Sequence, residues 1–418
     1  MVLGSHLKLA LRVLARRKFF TAVSLFGVGF TLLVLVVAVA ILDHTFGPLP
    51  PEANQDRTLG IYSVRLAGRG GSSGGNVGYQ LIDRYARDLP GVERMAIYAN
   101  VGGLGARLRA TRAGWSGLSI KATDGQYWKV LQFQFLEGGP FSDEDVRDRR
   151  LVAVVTRSAA RRAFGDDGPA LGRSLELGDR RFRVVGVVPD VSVLRAIPYA
   201  DVWIPFTTEK GDFLRTGLLG GYSALFLARS VADIPAIKQE LRSRLARFQS
   251  PDPRRWNRLV APLDTRFERT ARSLFDTEGE ESGVERLWAA LGLLAAVFIL
   301  LPTVNLVNLN VSRILERTSE IGVRKAFGAS GLALVGQFLM ENVVLTLIGA
   351  ALGIAASVLV LAALTRSDLL PHAQLALNLR VVGYGVVLAL VFSVLSGIYP
   401  AWRMSRVHPV VALRGGER

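Results

Sequence analysis

The sequence predicts a membrane protein in which four transmembrane α-helices, arranged as one plus three, carry a large α+β extracytoplasmic domain. Three observations predict this fold class: four long apolar runs, basic residues concentrated at the flanks of those runs, and a segment of about 240 residues between the first two runs with mixed strand and helix patterns. Half of the 418 residues are hydrophobic, and they are clustered rather than evenly spread.

The four apolar runs are each long enough to cross a bilayer, which takes about 20 residues of helix. Backbone groups in lipid must bond within their own segment, so each run is predicted to be a helix. The predicted spans are residues 19–42, 286–310, 332–364 and 381–402. The first run exceeds the roughly 7–15 apolar residues of a cleaved signal peptide, so we expect a retained anchor. Glu341 lies inside the third run, and we expect it to snorkel to the membrane surface or to contact the adjoining loop.

Basic residues are unevenly distributed among the segments that flank these spans. Residues 1–18, 311–331 and 403–418 together hold thirteen Lys and Arg residues against three acidic ones. Because Lys and Arg are enriched in cytoplasmic loops, these segments and both termini are predicted to face the cytoplasm. Residues 43–285 and the short loop 365–380 are then predicted to lie outside. The first 18 residues also have the pattern of an amphipathic helix on the inner leaflet.

The predicted extracytoplasmic domain has strand–helix–strand patterns at both ends, in residues 55–102 and 222–265, and a β-rich insert at 103–221. The two ends are predicted to form one lobe. The Gly-rich stretch Gly68–Gly78 is predicted to be a flexible surface loop, with contact to a partner or cargo as the alternative. Expected strands are Thr58–Leu66, Val92–Val101, Leu151–Thr156, Ser174–Leu177, Phe182–Val188, Ser223–Arg229 and Arg258–Pro262, and expected helices are Tyr79–Leu89 and Val231–Phe248.

Several classes of function are disfavoured by the composition and by the motifs tested. The net charge of +16 is concentrated at the flanks of the apolar runs, which favours contact with membrane lipids over nucleic acid. The chain has no cysteine, which excludes a thiolate metal site and a cysteine nucleophile. No Walker A sequence occurs, and His6, His44, His372 and His408 lie far apart in the predicted topology. We therefore expect a non-catalytic chain with no catalytic residue, metal or bound cofactor.

The segment between the second and third runs is short, charged and helical in pattern. Glu320 and Arg324 are four residues apart in the order that favours a helical ion pair. Ile321 and Phe327 can share an apolar stripe, and Gly328 is placed to end the helix. Such a helix can dock in a groove on a partner or lie on the bilayer surface, and the composition leaves both interpretations open.

A family resemblance adds to this interpretation. Residues 316–329 (Glu-Arg-Thr-Ser-Glu-Ile-Gly-Val-Arg-Lys-Ala-Phe-Gly-Ala) closely resemble the coupling-loop signature of the MacB/FtsX-type, or type VII, ABC transporter permeases. Residues 399–414 resemble the tail of that family, and residues 138–141, 151–156 and 182–187 resemble its periplasmic core domain. The resemblance implies a permease subunit without a fused ATPase domain, whose outer domain is of the MacB periplasmic-core type, with a porter lobe and a sabre-like insert.

The same resemblance implies a function and a set of partners. The chain would couple ATP hydrolysis by a separate ABC ATPase, present in two copies, to periplasmic conformational change, a process called mechanotransmission. ATP and Mg would be bound by that ATPase, and a second permease protomer, identical or paralogous, would complete the membrane part. Export of a peptide, antibiotic or metabolite, with a periplasmic adaptor and an outer-membrane duct, is the first function implied. An FtsX-like permease that controls a periplasmic enzyme and a lipoprotein-releasing permease are the alternatives. The expected location is the bacterial inner membrane.

Two groups of residues are the candidate functional sites. Gly27 and Gly29 in the first span are candidates for a transmembrane dimer interface, because small residues let helices approach closely. Packing against lipid or against the chain's own bundle is the alternative. The candidate ATPase-coupling residues are Glu316, Arg317, Glu320, Ile321, Gly322, Arg324, Lys325 and Phe327.

Overall fold

The computed structural model has two compact units. A helical unit falls within Met1–Asp43, Ala289–Leu369 and Gln374–Arg418, and an α+β unit comprises His44–Trp288 and Leu370–Ala373. The predicted amphipathic helix at the N-terminus lies almost entirely outside the described residues. The structure describes residues 18–69, 71–101, 118–166, 168–209, 217–250, 252–277, 279–316, 323, 327–328, 330–367 and 369–405.

The helices and strands are numbered separately along the chain. The helices are α1 Lys18–Phe46, α2 Tyr79–Leu81, α3 Tyr127–Val130, α4 Asp143–Arg147, α5 Arg157–Phe164, α6 Ile234–Ala246, α7 Arg266–Phe275, α8 Val284–Glu316, α9 Gly331–Arg366 and α10 Leu379–Ser405. The strands are β1 Thr58–Ile61, β2 Val64–Gly68, β3 Gly71–Val77, β4 Val92–Asn100, β5 Ile120–Thr123, β6 Glu137–Gly138, β7 Val152–Thr156, β8 Ser174–Leu177, β9 Arg180–Val188, β10 Val202–Pro205, β11 Leu219–Gly220, β12 Tyr222–Ala228, β13 Arg258–Val260 and β14 Leu263–Asp264.

One long helix precedes the α+β unit and three follow it, which is the one-plus-three arrangement that the sequence predicts. Among the described residues, three helices are long and apolar enough to cross a membrane: Thr21–Phe46, Ala333–Arg366 and Leu379–Ile398. Helix α8 covers the remaining predicted span with 33 residues, and several of its side chains lie outside the described set. Large apolar residues on the outer surfaces of the bundle, such as Phe26 and Leu359, are exposed as lipid-facing residues are.

The α+β unit is built on a sheet of fourteen described strands, in the order β13-β2-β3-β12-β4-β5-β10-β7-β9-β6, with β1, β8, β11 and β14 off this path. Most pairs are antiparallel, but β5 with β10 and β7 with β9 are parallel. The sheet is continuous across the predicted boundary between lobe and insert, because β4 pairs with β5. The division of this unit into two lobes therefore stays a prediction.

The core of the α+β unit lies between the sheet and its short helices. Aromatic rings fill its centre: Trp128 contacts Phe141 and Trp203 edge to face, with ring centroids 5.3 and 5.9 Å apart. Strands β7 and β10 are buried along their whole length, as expected for central strands. The predicted strand Thr58–Leu66 is wrong in one respect, because the structure divides it into β1 and β2.

The Gly-rich stretch is not the flexible loop that its composition predicts. It forms β3, which pairs residue by residue with β2 from Val64 opposite Gly75 to Gly68 opposite Gly71. Glycine is required at its ends because a side chain at Gly78 would collide with the carbonyl group of Gly217. The glycines thus permit close approach of backbone segments, a reason that composition alone does not reveal.

Candidate functional site

The turn between α8 and α9 contains the described part of the predicted coupling segment. The Phe327 side chain is 89% exposed, and its backbone N–H donates to the Val323 carbonyl oxygen over 3.1 Å, one helical turn earlier. Gly328 has a φ of +90°, which confirms the predicted stop because glycine tolerates this left-handed conformation. Ser330 then caps α9 by accepting a hydrogen bond from the Ala333 N–H. The aromatic ring of Phe327 is therefore exposed at this turn.

Most of the candidate coupling residues lie outside the described part of the chain. Glu316 is the last residue of α8, and its side chain is not described. Val323, which the sequence interpretation left out, is 43% exposed and shares a helical face with Phe327. The feature of the sequence that could have identified Val323 as a candidate was its spacing of four residues from Phe327. Outside the described residues lie Arg317, Glu320, Ile321, Gly322, Arg324 and Lys325.

Helices α1 and α9 of the helical unit cross at three glycines. A Cβ atom added at Gly29 would lie 3.1 Å from the Gly349 carbonyl oxygen, and one added at Gly353 would lie 2.5 Å from the Gly29 carbonyl oxygen. The two backbones are thus in direct contact, as small residues allow in membrane helices. For Gly29 this geometry matches the alternative of packing within the chain's own bundle. A dimer interface through Gly27 and Gly29 stays a prediction.

The helical unit contains a layer of buried polar side chains. Thr346 donates to the Ser393 hydroxyl over 2.8 Å, which joins α9 to α10. Gln337 donates to Glu341 over 3.2 Å, and Glu341 is 4% exposed. This burial contradicts the expectation that Glu341 snorkels to the surface. The alternative, contact with the adjoining loop, stays a prediction, because most of that loop lies outside the described residues. Intramembrane polar groups that bond one another hold helices together.

Three distant chain segments meet at a buried charge cluster in the α+β unit, formed by Glu52, Arg195 and Arg266. Both guanidinium groups donate to the same Glu52 carboxylate oxygen, over 3.1 Å from Arg195 and 2.5 Å from Arg266. All three side chains are less than a tenth exposed. Burial raises the pKa of the Glu52 carboxyl, and attraction from Arg266 and Arg195 counteracts that effect.

The cluster holds the chain immediately after α1. Arg195 donates to the carbonyl oxygens of Gly47 and Leu49 over 2.9 and 2.8 Å, and Arg266, the first residue of α7, donates to the Leu194 carbonyl. The cluster has no signature in the sequence, because Glu52 is separated from Arg195 and Arg266 by 143 and 214 positions in the chain and the three form no local pattern.

Two titratable side chains, one buried and one partly buried, lie where β4 and β5 pair. Lys121 is 2% exposed and donates to the carbonyl oxygens of Tyr199 and Ala196 over 2.6 and 3.1 Å. Burial lowers the pKa of its ammonium group to about 7. The Asp124 carboxylate accepts the N–H groups of Ile97 and Tyr127, and burial raises its pKa to about 7. These groups fix the sheet near its centre.

Replacing Lys121 by Met is expected to remove a pH dependence of stability. Between pH 7 and about 10.5 the unfolded chain keeps a proton that the folded chain has lost, so stability rises with pH across that window. The expected slope is about 1.4 kcal/mol per pH unit. We would measure the free energy of unfolding between pH 7 and 9.5 for the wild type and for Lys121→Met. The control Lys129→Met alters a half-exposed side chain, and an equal slope in all three proteins would contradict the prediction.

The described residues contain no group of three His, Cys, Asp or Glu side chains that could hold a metal ion. Ser158, Asp190 and His372 are neighbours, but the Ser158 hydroxyl donates to Asp190 over 2.8 Å, and the His372 Nδ1 is 3.9 Å from the same carboxylate oxygen. A nucleophilic triad needs the histidine between serine and aspartate. This trio therefore has the wrong order for nucleophilic catalysis.

Two protein-family models match the chain. The model of the MacB-like periplasmic core domain matches residues 21–244, which is more than half of the sequence. The model of the FtsX-like permease C-terminal matches residues 292–409. The two matches follow one another along the chain and overlap all four long helices.

Curated relatives are similar over about two thirds of the chain. The macrolide export ATP-binding/permease protein MacB of Bdellovibrio bacteriovorus is 28% identical over 283 residues, which is 66% of this chain and 40% of the relative. The protein of the same name from Escherichia coli K12 is 28% identical over 297 residues, 71% of this chain and 43% of the relative. The chain thus spans about two fifths of the length of these relatives.

Solved structures of domains from other proteins are similar to part of this chain. The periplasmic region of MacB from Actinobacillus actinomycetemcomitans is 15% identical, with a TM-score of 0.37, and the match covers 53% of this chain and 94% of that structure. A domain of a putative permease from Porphyromonas gingivalis is 19% identical, with a TM-score of 0.36, and the match covers 47% and 83%.

Proposed function

Because the chain belongs to the MacB/FtsX-type, or type VII, family of ABC transporter permeases, we propose that it couples a separate ATPase to movement of the periplasmic domain. In this proposal the chain hydrolyses nothing itself. Two copies of an ABC ATPase bind ATP and Mg, and two permease protomers, identical or paralogous, form the membrane part. These 418 residues contain no Walker A sequence, so the proposal gives them no part in ATP binding.

The exposed Phe327 ring at the turn between α8 and α9 is the observation that carries this proposal. A phenylalanine with 89% of its surface exposed gains about 1.5–3 kcal/mol when a partner buries it. It belongs to a segment with four basic residues and two acidic ones, which supplies charge for orientation. A short helix with one apolar anchor and charged flanks suits a groove on a partner protein.

The connections of α9 support transmission of a movement from this turn. Helix α9 starts at the Ser330 cap, three residues after Phe327, and runs as a 36-residue helix to Arg366. Its backbone contacts α1 at Gly349 and Gly353. Because close-packed backbones cannot compress, a displacement of α9 also moves α1, and α1 is continuous with the segment that Arg195 holds.

The interior of the helical unit supports a transmitting role rather than a channel. Substrate pathways in membranes are commonly marked by ionisable side chains that face a water-filled cavity. Several polar residues in this interior are bonded instead to neighbours: Thr346 to Ser393, Ser357 to the Gly353 carbonyl, and Gln337 to Glu341. The buried Asn342 amide nitrogen is an exception. We propose that cargo does not pass between these helices.

The wider assignments rest on the same proposal. Both termini and the turn at Phe327 face the cytoplasm of a bacterial inner membrane, the spans are those predicted from the sequence, and the domain between α1 and α8 faces the periplasm. Relatives are named for macrolide export, and we propose that this chain serves export of a peptide, antibiotic or metabolite, together with a periplasmic adaptor and an outer-membrane duct.

Replacing Phe327 by Asp is expected to reduce recovery of the ATPase with the purified chain by at least tenfold, because about 1.5–3 kcal/mol of apolar burial is lost. The double variant Ile321→Asp and Arg324→Glu, which adds one negative charge and reverses a positive one, is expected to act in the same direction. The measurement is the amount and the ATP hydrolysis of the subunit that co-purifies with the tagged full chain. The control Leu369→Asp changes a side chain that is 79% exposed in the loop after α9. Undiminished recovery with the Phe327 and Ile321 variants would count against the proposal.

A further inference from the structure

The loop between α9 and α10 contributes a four-residue turn, Leu370–Ala373, to the α+β unit. The residues before it, to Leu369, and those after it, from Gln374, belong to the helical unit. The turn is closed by the Ala373 N–H, which donates to the Leu370 carbonyl oxygen over 3.1 Å. Ala373 is 1% exposed, so this part of the loop is seated among packed residues and does not lie free in solvent.

Contacts with the segment that follows β9 hold the turn in place. The Val193 N–H donates to the Pro371 carbonyl oxygen over 3.2 Å. The His372 Nδ1 lies 3.9 Å from an Asp190 carboxylate oxygen, which is too far for a hydrogen bond but close enough for attraction of a protonated imidazole. Asp190 is itself oriented by Ser158, whose N–H and hydroxyl group donate to its two carboxylate oxygens. The carboxylate is therefore in place to receive the turn.

The same segment has a stronger attachment two residues later. The Arg195 side chain is only 3% exposed, and it holds the chain after α1 through charge-assisted hydrogen bonds. By contrast, the His372 and Asp190 side chains are 36% and 22% exposed, and water weakens the attraction between charges at such positions. A neutral main-chain hydrogen bond joins Val193 to Pro371. The turn is thus held more weakly than the chain after α1.

The backbone of His372 also opposes a permanent attachment. Its φ is +60°, in the left-handed region that residues other than glycine occupy at a cost in free energy. The contacts of the seated turn offset this cost only while they are made. Loss of a contact therefore favours a different conformation of the loop, as in other segments that switch between two discrete arrangements.

We propose that the Leu370–Ala373 turn is a releasable latch, held on the α+β unit by Asp190 and Val193. In the engaged state described here, the latch ties the loop between α9 and α10 to that unit. When the latch is released, the unit stays attached through its own two chain ends, at α1 and α8. The inference rests on the proposed coupling function, because movement driven by the ATPase is what opens the latch.

Ala373 provides a direct readout of the latch, because release of the turn exposes it. The chain has no cysteine, so a cysteine introduced at this position is the only thiol that a maleimide reagent can label. In the full chain in detergent, Ala373→Cys is expected to react at least tenfold more slowly than Leu369→Cys, whose position is 79% exposed. Equal rates at the two positions would mean that the turn is not seated and would overturn the proposal.

Variants on each side of the contact test what holds the latch. In the Ala373→Cys chain, Asp190→Ala and, separately, His372→Ala are each expected to raise the rate of maleimide labelling at least fivefold. The matched control Asp166→Ala removes an 84% exposed carboxylate of the same unit, which contacts Arg161 over 3.2 Å, and it is expected to change the rate less than twofold. If neither variant exceeded this control, the proposed contacts would not hold the turn.

The response to ATP separates a latch from a permanent contact. In the complex with the ATPase, trapping the ATPase with ATP and vanadate is expected to raise the labelling rate of Ala373→Cys at least fivefold over the nucleotide-free complex. An unchanged rate in a complex that hydrolyses ATP would make the turn a fixed part of the α+β unit and overturn the latch. Failure of the coupling function is a different result, because then no ATPase would accompany even the unsubstituted chain.

Discussion

Replacing Glu52 by Gln is expected to destabilise the α+β unit by about 3–5 kcal/mol, the usual cost of removing one partner from a buried ion pair. The substitution keeps the shape of the side chain but leaves the guanidinium groups of Arg195 and Arg266 enclosed without a negative charge. The measurement is urea unfolding of the full chain in detergent, followed by tryptophan fluorescence. Trp128 and Trp203 are buried in the core of this unit and report on it.

An exposed ion pair provides the control for this experiment. Glu176 contacts Arg181 over 2.9 Å, but Arg181 is 76% exposed, and solvent-exposed pairs contribute at most about 1 kcal/mol. Glu176→Gln is therefore expected to change the urea midpoint little. If Glu52→Gln changed the urea midpoint as little as Glu176→Gln, the buried cluster would not stabilise the unit as its geometry indicates.

Replacing Gly353 by Leu is expected to destabilise the helical bundle by about 1–3 kcal/mol, because the new side chain overpacks a backbone contact. Its Cβ atom would lie 2.5 Å from the carbonyl oxygen and 2.9 Å from the Cα atom of Gly29. Neither atom can rotate aside as the end of a side chain could, so α1 and α9 must separate. The loss of contact is expected to lower the free energy of unfolding, which is measured by urea unfolding in detergent. If the proposed coupling holds, the same variant should also show less ATP-dependent movement of the outer domain.

The control for Gly353→Leu is available on the same helix. A Cβ atom added at Gly336 would have no neighbour within 4 Å, so Gly336→Leu is expected to leave stability nearly unchanged.

A cysteine at Gly27, in a chain with no native cysteine, tests the dimer prediction by crosslinking. Suppose that Gly27→Cys crosslinks two protomers and that Gly353→Leu leaves stability unaltered. The glycine contact would then be between protomers and not within one chain.

The fold class was predictable because its signals are local. Membrane helices are dictated by uninterrupted apolar length, and α1, α9 and α10 each satisfy that criterion. Strands such as β8, observed at Ser174–Leu177 as predicted, follow from short apolar alternation between turn residues. The end of the helix at Gly328 was also predictable, because glycine favours the left-handed conformation, with a φ of +90°, that this residue adopts.

Features that depend on distant contacts could not be predicted. Glu52 occurs in an ordinary polar stretch of sequence, and its importance appears only when Arg195 and Arg266 arrive from elsewhere in the chain. In the sequence Glu341 resembles a residue near the end of a span, and only the structure shows that its side chain is buried. The same limit applies to β13, because its position at the end of the sheet depends on which strands pair with it.

The glycines of β3 have a practical consequence for anyone who handles this protein. A stretch such as Gly71–Val77 is where an affinity tag or a fluorescent reporter would ordinarily be inserted, on the assumption that it is slack. Here the stretch is paired with β2 residue by residue, and the next residue, Gly78, has no space for a side chain beside Gly217. An insertion would therefore interrupt the sheet. Gly279, where an added side chain would have open space, is the better site for inserting a tag or reporter.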